Sequence, residues 1–76
     1  MPTDVVDEFV VRKTDGTREN VTILDIDYGE GMFVYRLVVG HAPSVTMNYS
    51  ALDENAKSEF DAKVATYMKD SKLERI

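Results

Sequence analysis

The residues able to do chemistry in this chain are few. Asp25, Asp27 and Glu30 are the nearest approach to an acidic constellation. Side chains two apart on a strand share a face, so Asp25 and Asp27 would point the same way. Three carboxylates supply the hard oxygen ligands that Ca²⁺ or Mg²⁺ takes. The spacing departs from an EF-hand loop, however, because the position that demands glycine falls on Glu30. A solvated strand end beside a turn is the simpler account, and no metal is expected there.

His41 is the only imidazole, and cysteine is absent. Thiolate and classical zinc sites are thereby excluded, as are disulfides. Ser44 and Ser50 lie close to His41 in sequence, but no nucleophile elbow or triad pattern surrounds them. Gly29-Glu30-Gly31 lacks the further glycine and the following helix of a phosphate loop. Tyr28, Tyr35, Tyr49 and Tyr67 could stack nucleobases, yet such platforms need interleaved bases and only Arg36 stands near one of them. These patterns assign no catalytic residue and no cofactor. The chain reads as a binding module and not as an enzyme.

The elements that would position these residues are legible as patterns. Val5, Val6, Phe9, Val10 and Val11 form a β-rich run ending at Thr14-Asp15-Gly16-Thr17. An Asp-Gly pair between such runs signals a hairpin, with both turn residues able to take positive φ. The return strand covers about Arg18 to Tyr28. Gly29-Glu30-Gly31 suits a short loop with a bulge. A third strand runs Met32 to Val39, and His41-Ala42-Pro43-Ser44 breaks it. A fourth, Val45 to Tyr49, alternates Val45, Met47 and Tyr49 with Thr46 and Asn48.

Ser50 with Asp53 resembles a capping box. Leu52, Ala56, Phe60, Val64, Tyr67 and Met68 then recur at helical spacing. Asp53 to Lys57 and Glu59 to Lys63 are acid-before-base pairs four apart. Together these features predict one α+β domain over 1–76. It has an antiparallel four-stranded meander over about 4–49 and a helix over about 51–74, packed on one face. The alternative is a small curled barrel with an appended helix.

The strands carry more apolar surface than one helix covers. A half-solvated antiparallel strand alternates cleanly, but strand three has Phe33, Tyr35, Leu37 and Val39 on one face and Met32, Val34 and Val38 on the other. Val6, Val10, Leu24 and Ile26 extend that second face. It would be covered by the sheet's own curl, by a different protein, or by a second copy of the chain. A domain this small is marginally stable alone, and without disulfide or metal a homodimer would supply the missing support.

Charge is unevenly placed. The chain carries a formal −5, and residues 1–31 hold eight acids against three bases, which accounts for all of it; residues 32–76 hold six of each. An acidic hairpin repels phosphate backbones, so direct nucleic-acid binding is disfavoured. It attracts a basic partner. The apolar runs are far shorter than the ~20 residues needed to cross a bilayer, the helix's polar face mixes signs, and no signal-peptide pattern opens the chain. A cytosolic protein is expected, in the host cytoplasm if it is carried by a virus.

The functional expectation is a small acidic protein–protein interaction module. An acidic surface can occupy a groove that normally takes nucleic acid. In size and charge alone the chain is similar to viral and mobile-element inhibitors of defence enzymes, anti-CRISPR proteins among them. The contact residues would be Asp7, Glu8, Asp15, Glu19, Asp25, Asp27 and Glu30. A homodimeric assembly subunit using Val6, Val10, Leu24, Ile26, Met32, Val34 and Val38 is the alternative. An enzyme or divalent-metal binder using Asp25, Asp27 and Glu30 ranks last.

Overall fold

The strands β1 (Thr3–Arg12), β2 (Arg18–Gly29), β3 (Met32–Val39) and β4 (Ala42–Ser50) follow one another as an antiparallel meander in the computed structural model, which describes residues 2–76. The helix α1 spans Ala56–Asp70, and a two-residue strand β5 (Glu74–Arg75) closes the chain. The sheet order is β4-β3-β2-β1-β5. The fold is α+β, with a curled, half-barrel sheet and one C-terminal helix. The fifth strand, at two residues, is too short to carry a strand pattern in the sequence. It pairs Val11 with Arg75 and Arg12 with Glu74 along the outer edge of β1.

The first two hairpin turns set the register of β1 with β2 and of β2 with β3. In the first, Gly16 N–H donates to the Lys13 carbonyl at 3.0 Å, and Lys13 N–H donates to the Thr17 carbonyl at 2.8 Å. Only Gly16 takes positive φ, so this is a type I turn followed by a glycine bulge, not a turn with two left-handed residues. The Asp15 carboxylate accepts from both the N–H and the hydroxyl of Thr17, at 2.9 and 2.6 Å. In the second turn Gly29 pairs with Met32, leaving Glu30 (φ 57) and Gly31 (φ 76) as the central residues. Positive φ at both defines a type I′ turn, the form whose twist suits a tight hairpin.

One sheet face carries Phe9, Val11, Val21, Ile23, Tyr35, Leu37, Val39, Val45, Met47 and Tyr49. The helix lies on this face. Its buried stripe of Ala56, Phe60 and Val64 joins Val11, Val21, Ile23, Leu37 and Met47 in one core. Spacing of four residues stacks that stripe along one side of the helix. Phe60 and Leu37 are fully enclosed, and burying side chains of this size contributes about 1.5–3 kcal/mol each.

The helix is shorter than predicted at both ends. The Ser50 hydroxyl accepts from Leu52 N–H at 3.2 Å, and the Asp53 carboxylate accepts from Asn55 N–H at 2.9 Å. Both side chains therefore build turns ahead of the helix instead of capping it. Leu52 consequently leaves the apolar stripe and is 90% exposed. Asp53 lies outside the helix, and the helical ion pair that forms is Lys57–Asp61 at 2.5 Å, base before acid.

At the other end, Leu73 N–H donates to the Met68 carbonyl and Lys72 N–H to the Lys69 carbonyl, at 2.9 and 3.2 Å. These two bonds, with Lys72 at φ 54, make a Schellman stop in which lysine occupies the usual glycine position. The reversal returns Leu73 to the core and delivers β5 to the edge of β1.

Candidate functional site

The acidic hairpin is not one cluster. Asp15 and Glu30 occupy turns at opposite ends of β2, a strand of twelve residues and so about 40 Å long. Glu8 pairs with Thr22 on the face without the helix. The other hairpin acids point to the helix-bearing face: Asp7 opposite Ile23, Glu19 opposite Val11, Asp25 opposite Tyr35, and Asp27 opposite Phe33.

Asp4 joins them because of a β-bulge. The register of β1 shifts between Val5 and Asp7, so that Asp4 opposes Asp25 while Val5 opposes Leu24. An extra residue in one strand reverses which side chains share a face. Asp4 and Asp7, three apart, thereby end on the same side. The same shift adds Val5 to the second face: it stands in line with Val10, Leu24, Ile26, Met32, Val34 and Val38, while Val6 falls in the bulge without a register partner.

Several carboxylates are answered within the chain. Arg75 lies 3.9 Å from Asp7 and places its guanidinium 4.2 Å from the centre of the Phe9 ring. Lys13 lies 3.4 Å from Glu19. Asp4, Asp25 and Asp27 form no ion pair with a base among the described residues. Asp4 and Asp25 face each other directly, an arrangement that costs stability for like charges.

Beside this uncompensated group runs an aromatic stack. Phe33 and Tyr49 lie 5.3 Å apart, Tyr49 and Tyr35 4.4 Å, and Tyr35 and Phe60 5.2 Å, with every pair within 26° of parallel. Tyr35 and Tyr49 pack against the core, whereas Phe33 at the far end stands outside it and is partly exposed. The Tyr49 hydroxyl donates to Asp25 Oδ1 at 2.6 Å. Burial, and then this bond, push the Tyr49 phenol far above its ordinary range. The phenol therefore stays protonated and keeps donating.

The resulting corner presents Asp4 exposed, Asp25 and Asp27 partly exposed, and an aromatic edge ending at Phe33. Chemically it suits a cation. Carboxylates accept from ammonium or guanidinium groups, and aromatic faces attract the same groups.

The remaining candidates stand apart from one another. His41 is exposed in the turn between β3 and β4. Ser50 lies nine residues further along β4, about 30 Å away. The Ser44 hydroxyl donates to the Ala42 carbonyl at 3.1 Å. Asp27 Oδ1 accepts from Gly29 N–H at 2.7 Å, and Glu30 sits at the turn tip. Asp25, Asp27 and Glu30 do not converge as a metal-holding group among the described residues.

The helix-free face holds a groove of about 300 Å³ over β3 and β4, lined in part by Tyr28, Met32, Val34, Arg36, Thr46 and Asn48. Ile26 and Val34, adjacent on this face, are already buried within the single chain. No described helix is long and apolar enough to cross a membrane. Comparison with protein families, with curated proteins and with solved structures returns no match.

Proposed function

We propose that this domain is a protein–protein interaction module that receives a lysine- or arginine-rich segment of another protein on its helix-bearing face. The observation that carries the reading is the corner formed by Asp4, Asp25 and Asp27, which no base neutralises among the described residues, set against the Phe33–Tyr49–Tyr35 stack. A cation docked there relieves the Asp4–Asp25 repulsion and gains aromatic contact at once. A basic groove that otherwise holds nucleic acid is one such segment, which makes inhibition of a nucleic-acid-binding or defence enzyme the specific form of the proposal.

The reading narrows the contact set. Asp25 and Asp27 carry it, with Asp4 added; Asp7 and Glu19 support it from paired positions; Asp15, Glu30 and Glu8 lie elsewhere. Affinity capture from the native cell tests it. The wild-type domain retains a partner that Asp4→Lys/Asp27→Lys releases and Asp15→Lys/Glu30→Lys does not. Equal retention by both double variants contradicts it.

The homodimer alternative draws on less. A back-to-back dimer gains from covering exposed apolar surface, and Ile26 and Val34 at the centre of that face are covered already. Its support is limited to the rim, where Val5 and Met32 are 56% and 49% exposed. A monomer mass in sedimentation at high concentration counts against it.

A further inference from the structure

The two edges of the sheet are guarded differently. Along β1 the edge is partly covered by β5, is bulged at Val6 and carries Asp4, Asp7 and Glu8. The Glu8 N–H, moreover, donates to the neighbouring carboxylate, Asp7 Oδ1, at 2.9 Å. The other edge, β4, pairs with β3 alone. It is the one long strand without a charged residue. Pro43, and the register shift that leaves Ser44 without a partner, protect its beginning. Residues 45–50 carry no charge, proline, glycine or bulge. Sheet edges are normally blunted by such features, because a bare edge is a template for another strand.

The bare stretch has a definite backbone direction. Ala51 N–H donates to the Gly31 carbonyl at 2.8 Å, so the N–H groups of Tyr49, Met47 and Val45 also point at β3. Alternation then turns the N–H and C=O of Thr46 and Asn48 outward. Both residues are exposed. The Ser50 carbonyl, next in the outward series, already accepts from Asp53 N–H at 2.9 Å, which leaves Thr46 and Asn48 to receive a new strand.

We propose that two copies of the chain pair antiparallel through β4, about a two-fold axis at Met47. A two-fold contact must be self-complementary, and residues 45–49 are so. Thr46 exchanges backbone hydrogen bonds with the partner's Asn48, and Asn48 with the partner's Thr46. On the helix-free face these side chains meet polar against polar. On the helix-bearing face Val45 lies opposite the partner's Tyr49, a β-branched–aromatic pair of the kind that stabilises sheets. A foreign strand selected by charge would find none here. The excess acid belongs to residues 1–31, hence to β1 and β2. Five strand spacings, about 24 Å, separate the two copies of β2, well beyond the ~8 Å reach of screened charges. Each helix starts just past Ser50 and delivers β5 to Arg12 at the far corner of the sheet, so the two helices leave the seam from opposite ends. This pairing does not depend on the acidic corner.

Sedimentation of the full chain over a concentration series tests it, together with amide hydrogen exchange. A monomer–dimer equilibrium is expected, with exchange at Thr46 and Asn48 slowing as concentration rises. Thr46→Lys/Asn48→Lys sets lysine opposite lysine twice and should weaken the dimer about ten-fold or more; both side chains are exposed, so the monomer's fold should survive. Thr46→Lys/Asn48→Glu sets lysine opposite glutamate and should keep the dimer. Val5→Lys, exposed on the helix-free face but far from β4, should leave it intact, which separates edge pairing from a back-to-back dimer. A monomer at every concentration would overturn the proposal. So would a dimer that responds alike to both double variants, or one broken by Val5→Lys.

Discussion

The Tyr49 hydroxyl on β4 reaches across β3 to donate to the Asp25 carboxylate on β2, at 2.6 Å. Tyr49 thereby ties an edge strand to the sheet's centre and holds one carboxylate of the acidic corner in place. Its ring is also the middle member of the Phe33–Tyr49–Tyr35 stack. Core packing and the proposed cation site therefore share one side chain.

Tyr49→Phe keeps the ring and removes the hydroxyl. Hydrogen bonds to charged groups contribute about 1.5–3 kcal/mol, and partial exposure places this one toward the lower end. Chemical denaturation should show a loss of about 1–2 kcal/mol at neutral pH. The aromatic stack and the sheet should survive.

The same bond gives a signature at alkaline pH. Burial first, then Asp25, raise the Tyr49 phenol above the ordinary tyrosine value of 10.0. Above pH 10 the unfolded chain releases this proton while the folded chain retains it. The folded state then binds more protons, so stability falls as pH rises. The contribution is complete below pH 10 and declines above it. Tyr49→Phe lacks this linkage, and the stability gap between the two proteins should narrow above pH 10 in denaturant titrations.

Asp15 provides the opposite limb. The Thr17 hydroxyl, then the Thr17 N–H, hold its carboxyl below the usual carboxylate range. The unfolded chain takes up this proton first as pH falls. The turn's contribution is thus present above the ordinary aspartate range and is lost as pH drops through the depressed value. Asp15→Ala should lower the melting temperature at pH 7 and flatten its fall in acid. Equal acid sensitivity in both proteins would show that the turn does not feel this carboxylate.

Lys72 holds a left-handed conformation at the Schellman position, φ 54. That conformation costs a non-glycine residue about 1–2 kcal/mol, partly offset in glycine by a more flexible unfolded chain. Lys72→Gly should stabilise the domain by about 0.5–1 kcal/mol in chemical denaturation. Phe60→Ala should do the reverse. It empties the centre of the core and ends the aromatic stack, and a loss of about 3–5 kcal/mol would remove much of the stability of so small a domain.

Much of this architecture was legible in the residues. The apolar stripe Ala56-Phe60-Val64 announced the helix, and the alternation Val45-Met47-Tyr49 announced β4 and its inward face. The helix ends were not legible for a physical reason. Ser50 and Asp53 are good caps and equally good turn formers, and only tertiary context decides between them. The stop at Lys72 carried no glycine to mark it, and β5 is too short to have a pattern of its own. The acidic corner was half visible. Asp25 and Asp27 share parity, but Asp4 reaches their side only through the bulge at Val6, which strict alternation cannot foresee. The curl that buries Ile26 and Val34 likewise follows from the sheet as a whole.

Asp4, Asp25 and Asp27, beside Phe33, are proposed to receive a basic segment. A titration of the isotope-labelled domain with an oligoarginine peptide, read from backbone amide shifts at low and high salt, tests it directly. Screening shortens the reach of exposed charges to about 8 Å at physiological ionic strength and about 3 Å at 1 M, so binding should weaken as salt rises. Shifts should concentrate at Asp4, Asp25, Asp27, Phe33, Tyr35 and Tyr49, and should be lost in Asp4→Lys/Asp27→Lys. Shifts centred on the turns at Asp15 and Glu30, or spread evenly over both faces, would contradict it.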